Sequence, residues 1–221
     1  MKQYTKILFS SIFSGVLISL GGTIFLSSKS ISLILAGFLF AFGLFIIITL
    51  KMHLYTGKVG YVLENKPSYL LELLIVLVGN AIGTISMGYM LRACLSFNDT
   101  RLLELINSAE AVSNIKLSTS LLSSFILSIL CGFMIYLAVE VSRREVHQLS
   151  KIVAIFFAVA IFVICGMEHC IANMFYFSLA NAWSADALLY ILVMIVGNAI
   201  GSILLYIIVR LAEGKKIIGK N

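Results

Sequence analysis

Residues 166–173 of the chain read Gly-Met-Glu-His-Cys-Ile-Ala-Asn, and they interrupt an apolar run that otherwise predicts a membrane-spanning helix. Residues 152–165 are mostly Ile, Val, Phe and Ala, and aromatic residues resume after the interruption. The acid Glu168, the imidazole of His169 and the amide of Asn173 therefore fall at the depth of the hydrocarbon core. Ionisable groups are costly there and usually mark a functional site. Non-helical backbone at that depth is tolerated only inside protein or along a wet cavity. The stretch predicts a broken transmembrane helix in a protein that moves a solute across a membrane.

The composition is that of a membrane protein. It is 61% hydrophobic and 12% charged, about half the charged fraction of a typical soluble domain. The net charge of +6 is spread between the apolar segments, so topology explains it better than a nucleic-acid partner does. A membrane span needs roughly 20 apolar residues. Six spans are predicted, the fifth continuing beyond its interruption: Ile7–Leu26, Ile31–Leu50, Tyr69–Met90, Leu117–Val141, Ile152–Cys165 and Ala187–Val209.

The basic residues predict the orientation of these spans. With the N-terminus inside, eleven basic residues fall in cytoplasmic segments and four fall outside, while Lys51 falls within the membrane. By the positive-inside rule, both termini are expected to be cytoplasmic in a multi-pass protein of the plasma membrane. Residues 98–114 predict an amphipathic helix on the outer membrane surface, with Asn98 or Asp99 as its N-cap. A plain connecting helix is the simpler alternative.

The chain also repeats itself. Residues 78–84, Val-Gly-Asn-Ala-Ile-Gly-Thr, recur as Val-Gly-Asn-Ala-Ile-Gly-Ser at 196–202, an offset of 118. Each half has three spans, and three is odd, so the halves enter the membrane from opposite sides as an inverted repeat. The paired glycines predict close helix contact, and we interpret the whole segment as packing. One transmembrane domain, 1–221, therefore contains a first repeat (1–97), the surface helix (98–114) and a second repeat (115–221).

The same offset carries the interruption at 166–173 back to residues 48–55. There the polar stretch Lys51-Met52-His53-Leu54-Tyr55-Thr56-Gly57-Lys58 follows another apolar run. By this alignment Lys51 corresponds to His169. The second and fifth helices are thus both expected to be broken, and the two breaks are expected to face each other at a pore constriction.

His169 is the leading functional candidate, because a neutral imidazole in an apolar pore can donate a hydrogen bond or a proton to a passing anion. Glu168 is expected to orient the imidazole and raise its proton affinity. Packing of His169 as a structural polar residue is the alternative. Glu168 and Asn173 are expected mainly to cap backbone groups left free by the break.

Other polar residues near the breaks remain open to two interpretations. The hydroxyl of Thr56 either faces the permeant opposite His169 or makes a local turn bond, and Gly57 is expected to permit a tight turn. Lys116 either raises the anion concentration at the outer mouth or anchors the helix at the interface. Lys51 and His53 either add positive potential near the first break or extend to the interface.

Several classes of function are excluded by missing motifs. The scattered histidines form no metal-ligand spacing, so neither a metal nor a cofactor is expected. No phosphate-binding glycine loop is present, which argues against an ATP-driven pump. No serine–histidine–acid or catalytic cysteine arrangement is evident, so the chain is not expected to be an enzyme.

Residues 54–57, Leu-Tyr-Thr-Gly, and 166–174, Gly-Met-Glu-His-Cys-Ile-Ala-Asn-Met, together with six spans and an inverted repeat, resemble the formate/nitrite transporter family. The resemblance covers essentially the whole chain, and the second motif is the more specific. It implies an all-α, aquaporin-like protomer in the lipid bilayer and a homopentamer in which each protomer has its own pore. The implied permeants are small monovalent anions such as formate, nitrite and hydrosulfide.

The resemblance also assigns pore residues. His169 is implied to be the central pore histidine, Thr56 its partner and Lys116 the outer-vestibule lysine. Apolar constrictions are implied at Leu44 and Phe162 with Phe40 on the inner side, and at Leu54 on the outer side. Such rings exclude hydrated ions, so protonation by or near His169 would let the permeant cross as a neutral acid.

The chain departs from the family pattern in ways that leave the substrate open. His53 stands where many relatives have an acid, and Gly132 where many have asparagine. The Leu-Tyr-Thr-Gly-Lys stretch favours the nitrite or hydrosulfide branches. An aquaporin-like channel for a small neutral solute is the alternative, although Asn-Pro-Ala motifs are absent and the single proline, Pro67, lies in a loop. A membrane scaffold is a third reading, and the polar break in each repeat argues against it.

Overall fold

The computed structural model describes residues 2–94 and 100–219, and within these ranges the chain is all-helical. The all-α class is therefore confirmed. The described residues form nine α-helices and one 3-10 segment: α1 Lys2–Ser28, α2 Leu33–Thr49, α3 Tyr55–Lys58, the 3-10 segment Val59–Glu64, α4 Tyr69–Ala93, α5 Thr100–Ser118, α6 Leu121–Arg143, α7 Gln148–Ile164, α8 Cys170–Leu179 and α9 Ala185–Ala212.

Four of the described helices, α1, α4, α6 and α9, are long and apolar enough to cross a membrane. The second and fifth predicted spans correspond to shorter apolar helices, α2 for the second and α7 followed by α8 for the fifth. Both α2 and α7 have 17 residues, which gives each a length of about 26 Å. That is shorter than the roughly 30 Å of a bilayer core.

The glycines of the repeated Gly-Asn-Ala-Ile-Gly segment bring helix backbones into contact. α4 packs on α1 at Gly83, where a Cβ would overlap the backbone carbonyl of Ile12. α9 packs on α6 at Gly201, where a Cβ would overlap the carbonyl of Ile129. Only glycine allows helices to approach this closely. The prediction that these glycines serve close packing is confirmed.

The chain has the same backbone geometry after α2 and after α7. Lys51 and Gly166 both adopt left-handed conformations, with φ of 54° and 64°. The next residue in each case donates its N–H to the carbonyl five positions earlier in the chain. Met52 donates to Ile47 and Met167 donates to Phe162, each at 2.9 Å. Lys51 and Gly166 are 115 residues apart, so the two turns are related by an offset of 115 rather than 118.

This geometry corrects the predicted alignment of the two polar stretches. Lys51 is equivalent to Gly166, and the residue equivalent to His169 is Leu54. Tyr55, the first residue of α3, is hydrogen-bonded to Asn80, 25 positions later in the chain. Cys170, the first residue of α8, is hydrogen-bonded to Asn198, 28 positions later. The second half therefore has three extra residues between its turn and its Gly-Asn-Ala-Ile-Gly segment, and no single offset aligns both features.

α5 is the helix that the sequence predicts over residues 98–114. It buries Leu105 and Ile106 and packs mainly on α8 and α1. Its apolar face is therefore covered at least partly by protein. The residues predicted to cap it, Asn98 and Asp99, lie outside the described ranges.

Candidate functional site

Two buried asparagine amides hold the beginnings of the short helices α3 and α8. In the first half, Oδ1 of Asn80 accepts the N–H of Tyr55 at 2.8 Å. Its Nδ2 donates to the carbonyls of Ser11 at 2.8 Å and His53 at 3.0 Å. One side chain thus satisfies a free N–H at the start of a helix and two carbonyls, all in the protein interior.

Asn198 makes the same three bonds in the second half. Its Oδ1 accepts the N–H of Cys170 at 3.0 Å, and its Nδ2 donates to the carbonyls of Ser128 and Glu168, each at 2.8 Å. The interpretation of this segment as packing alone is wrong for the asparagine, whose amide holds three backbone groups. The signal was present in the sequence, since the same amide occurs twice in otherwise apolar helices that have no other reason to bury it.

His169 is buried and is the N-cap residue of α8. Its Nδ1 accepts the backbone N–H of Ala172 at 3.1 Å, so this nitrogen is unprotonated and the neutral ring carries its hydrogen on Nε2. Nε2 is 2.9 Å from Oγ1 of Thr56 and donates to it. The ring stacks on Phe162, with centroids 5.8 Å apart and planes 19° apart.

Thr56 lies in the short helix α3 and is as deeply buried as His169. The predicted proximity of the two residues takes the form of a direct hydrogen bond between them. Gly57 follows within the same helical turn and does not have a positive φ, unlike Gly166 and Gly214. The tight turn expected at Gly57 is thus a single right-handed helical turn, which does not need the conformational freedom of glycine, and Gly57 lines a cavity beside Val139.

Glu168 does not contact the imidazole of His169 in the way the sequence suggested. Its Oε2 accepts from Nζ of Lys116 at 2.6 Å and from Nδ2 of Asn173 at 2.6 Å. Only 3% of the Glu168 side chain and 13% of the Lys116 side chain are exposed. Lys116 is thus neither a free cation nor an interfacial anchor, and the capping expected of Glu168 and Asn173 is performed by Asn198 and His169.

Two cavities lie on opposite sides of this arrangement. The first, of about 340 Å³, is lined by Lys116, Glu168 and His169 together with several aromatic side chains, and we call it the Lys116 cavity. The second, of about 420 Å³, is lined by Lys51 and Lys58 among others, and we call it the Lys51–Lys58 cavity. By the predicted topology, the Lys116 cavity is the outer one.

The cavities correct the predicted positions of the apolar constrictions. Phe40 and Phe162 line the Lys116 cavity, whereas Leu44 and Leu54 line the Lys51–Lys58 cavity. The grouping of Leu44 with Phe162 on one side and Leu54 on the other is therefore wrong. α2 contributes to both cavities because Phe40 and Leu44 are one turn apart on the same helix face.

The residues around the first turn have separate environments. Lys51 lines the Lys51–Lys58 cavity. His53 instead faces α1, where its Nδ1 is 2.9 Å from Oγ of Ser10, and it is not among the residues that line either cavity. Of the two cationic candidates at this turn, only the lysine is placed to act on a solute in a cavity.

The arrangement is suited to guiding a small solute through an apolar layer. Four apolar side chains, Leu44 and Leu54 on one side and Phe40 and Phe162 on the other, are each at most 2–3% exposed. The N–H of His169 and the hydroxyl of Thr56 are polar groups within this layer. Each can give up its hydrogen bond to the other and form one instead with the oxygen or sulfur atoms of a solute.

The family model described as formate/nitrite transporter matches residues 1–212 of the chain. The formate channel FocB of Escherichia coli (strain K12) is 26% identical over 185 residues, which cover 76% of this chain and 64% of that protein. A formate-nitrite transporter of Plasmodium knowlesi (strain H) is 28% identical over 192 residues, which cover 79% and 61%. The chain thus spans less than two thirds of the length of these relatives.

Solved structures show the same fold. A pentameric formate channel with formate bound superposes with a TM-score of 0.83 at 22% identity, covering 97% of this chain and 99% of that one. An ion channel described as belonging to the FNT family superposes with a TM-score of 0.75 at 19% identity, covering 90% and 86%. At these identities the likeness establishes the fold alone.

Proposed function

The chain belongs to the formate/nitrite transporter family, and from this premise we propose that it conducts small monovalent anions such as formate, nitrite or hydrosulfide across a membrane. The observation that carries the proposal is the hydrogen bond between Thr56 and His169. His169 lines the Lys116 cavity, and the residues that flank Thr56, Leu54 and Gly57, line the Lys51–Lys58 cavity. The bond therefore joins the two sides of the apolar layer that a solute must cross.

The apolar layer determines the form in which the solute crosses. A bare anion loses its hydration between the paired leucines and phenylalanines, and this desolvation costs several kcal/mol or more. A neutral acid such as formic acid or hydrogen sulfide loses far less. We propose that the permeant gains a proton from cavity water as it enters the layer, and loses it to water on the other side.

His169 acts in this scheme as a hydrogen-bond donor. Nδ1 accepts the N–H of Ala172, so loss of the Nε2 proton would leave an imidazolate, which is a very strong base. Proton donation by the ring itself would first require Nδ1 to be protonated and the cap of α8 to be lost. We therefore propose that Nε2–H exchanges its bond to Thr56 for a bond to the permeant, which lowers the cost of leaving water.

The architecture proposed for this function is six spans in a 3+3 inverted repeat. α2 with α3, and α7 with α8, would be the halves of the broken second and fifth spans. The support is the duplicated geometry: left-handed turns at Lys51 and Gly166, and three equivalent bonds made by Asn80 and by Asn198.

The proposed assembly is a homopentamer in the plasma membrane with both termini in the cytoplasm. The structural relative described as a pentameric channel supports the stoichiometry. The long helices carry exposed apolar side chains that need lipid or a second copy as a cover, among them Leu74, Leu122 and Leu192. The distribution of basic residues supports the orientation.

Flux into proteoliposomes tests the proposal. The purified chain in liposomes should admit formate, nitrite or hydrosulfide far faster than empty liposomes do, and more slowly as the pH rises, because the neutral form becomes scarcer. Glycerol is the matched neutral solute and should enter at the rate of empty liposomes. Glycerol flux without flux of any of the three anions would overturn the proposal in favour of a neutral-solute channel.

A further inference from the structure

The Lys51–Lys58 cavity carries positive charge that its own lining does not neutralise. The lining contains Lys51, Lys58 and Arg143, with Glu64 as its acidic residue. Arg143 and Glu64 are paired with each other at 3.8 Å. In residues 2–94 and 100–219, neither Lys51 nor Lys58 forms an ion pair. Glu72 of α4 acts on Lys58 electrostatically from outside the lining.

The opposite cavity differs in this respect. Its lysine, Lys116, is bound directly to the carboxylate of Glu168, so the pair contributes little net charge. A solute anion therefore meets a net positive field on one side of the apolar layer, because Glu72 offsets only part of the charge of the two lysines, and a nearly neutral wall on the other. Low-dielectric cavity walls strengthen such a field by focusing it.

The backbone at Lys51 indicates that its side chain has a use. Lys51 has φ of 54°, in the left-handed region that residues with a Cβ seldom occupy. The equivalent residue in the second half is Gly166, for which this conformation carries no steric cost. A lysine at a position where glycine would be less strained points to a function for the ammonium group.

We propose that the Lys51–Lys58 cavity is an anion-capture site, in which the two ammonium groups hold a small monovalent anion against Leu44 and Leu54 before it crosses. The proposal rests on the proposed function and extends it by giving one side of the pathway a higher affinity than the other. The cavity, of about 420 Å³, accommodates an anion with part of its hydration shell, since a water molecule occupies about 30 Å³.

The local potential can be measured without any flux. A cysteine replaces Ser142, a neutral residue of the lining. Cys94 and Cys165 are replaced by serine so that they do not react, whereas the other two cysteines are buried and are left in place. The readout is the ratio of modification rates by an anionic and a cationic methanethiosulfonate of similar size. Lys51→Gly and Lys58→Gln should each lower this ratio about three- to tenfold, as expected for loss of one nearby charge.

Lys66→Gln is the matched control. It removes one positive charge from the exposed loop that follows the 3-10 segment, and Lys66 is not part of the lining. The rate ratio should then stay at the wild-type value. Lys51→Gly has the further advantage that glycine adopts the local φ without steric cost, so the variant is expected to keep the backbone conformation of the turn.

Formate flux in proteoliposomes then tests capture. Lys51→Gly and Lys58→Gln should raise the half-saturating formate concentration about three- to tenfold for entry from the side of the Lys51–Lys58 cavity, with a smaller change for entry from the other side. Unchanged rate ratios in both variants, or unchanged half-saturation from that side, would overturn the capture site even if wild-type flux is normal. A wild type that carries no anion but shows the expected rate ratios would overturn the proposed function and leave the anion-attracting cavity in place.

Discussion

Replacing Asn198 with alanine is expected to be one of the most destabilising single changes in the chain. The amide makes three hydrogen bonds of 2.8–3.0 Å to buried backbone groups: the N–H of Cys170 and the carbonyls of Ser128 and Glu168. Each buried group left without a partner costs about 1–3 kcal/mol. The carbonyl of Ser128 lies inside α6 and keeps its helical partner, so the N–H of Cys170 and the carbonyl of Glu168 are the groups left without one. The total is about 2–6 kcal/mol, against roughly 5–15 kcal/mol for the whole stability of a typical domain.

The assay can follow the affected region directly. Trp183, the single tryptophan, follows α8, and its Nε1 donates to Oγ of Ser178 at 2.9 Å. Its ring also packs edge-on against Phe177. Thermal unfolding in detergent, followed by tryptophan fluorescence, should show Asn198→Ala melting roughly 5 °C or more below the wild type.

Two comparisons make the result interpretable. Asn80→Ala removes an equivalent set of three bonds in the first half and should cost a similar amount. Asn107→Ala removes an exposed amide from α5 and should leave the melting temperature unchanged. If Asn198→Ala melts with the wild type and retains its fluorescence spectrum, then the amide does not hold α8, and the reasoning about the two asparagines is refuted.

Three further changes have defined outcomes. Lys116→Met leaves the buried carboxylate of Glu168 without its cation and should cost about 3–5 kcal/mol in thermal unfolding; the double variant with Glu168→Gln should recover much of this loss, and no recovery would show that the pair is not coupled. Gly201→Ala places a methyl against the carbonyl of Ile129 and should destabilise the α6–α9 contact by about 1–3 kcal/mol or more, as overpacking does. A melting curve identical to that of the wild type would show that the two helices are free to separate. A cysteine at Asn107 should react with an impermeant thiol reagent only from outside the cell, and labelling only from inside would invert the proposed topology.

The helices could be predicted because their signal is local. Apolar length sets where a span can form, and all six predicted spans contain described helices. The interruption at 166–173 was visible because polar residues in a span have few structural explanations. The paired glycines likewise predicted contacts that the structure shows at Gly83 and Gly201.

The relation between the two polar stretches could not be read from one offset. The motif that reveals the repeat lies on α4 and α9, whereas the turns precede α3 and α8, and the connections differ in length by three residues. The equivalence of Lys51 with Gly166 appears only in the φ angles and hydrogen bonds of the turns. Sequence similarity at the turns themselves is too weak to show it.

Partners that come from distant parts of the chain were also beyond the sequence. Glu168 and His169 are adjacent, which suggested that the acid acts on the imidazole. In the folded chain the carboxylate instead meets Lys116, 52 residues away on α5, and the imidazole meets Thr56, 113 residues away on α3. Adjacent residues at the start of a helix point in different directions, so their partners depend on how the elements pack.

The central claim is that the Thr56–His169 contact is part of the permeation step, and a double-mutant cycle on formate flux tests it most directly. His169→Asn keeps an N-cap oxygen for α8 and removes the Nε2 donor, while Thr56→Val removes the hydroxyl and keeps the size; His169→Phe removes both functions of the ring. The account predicts that Thr56→Val and His169→Asn each slow formate flux and that their effects are non-additive, with a coupling of about 0.5–3 kcal/mol on the permeation rate. Wild-type flux in His169→Asn, or cleanly additive losses in the double variant, would contradict it.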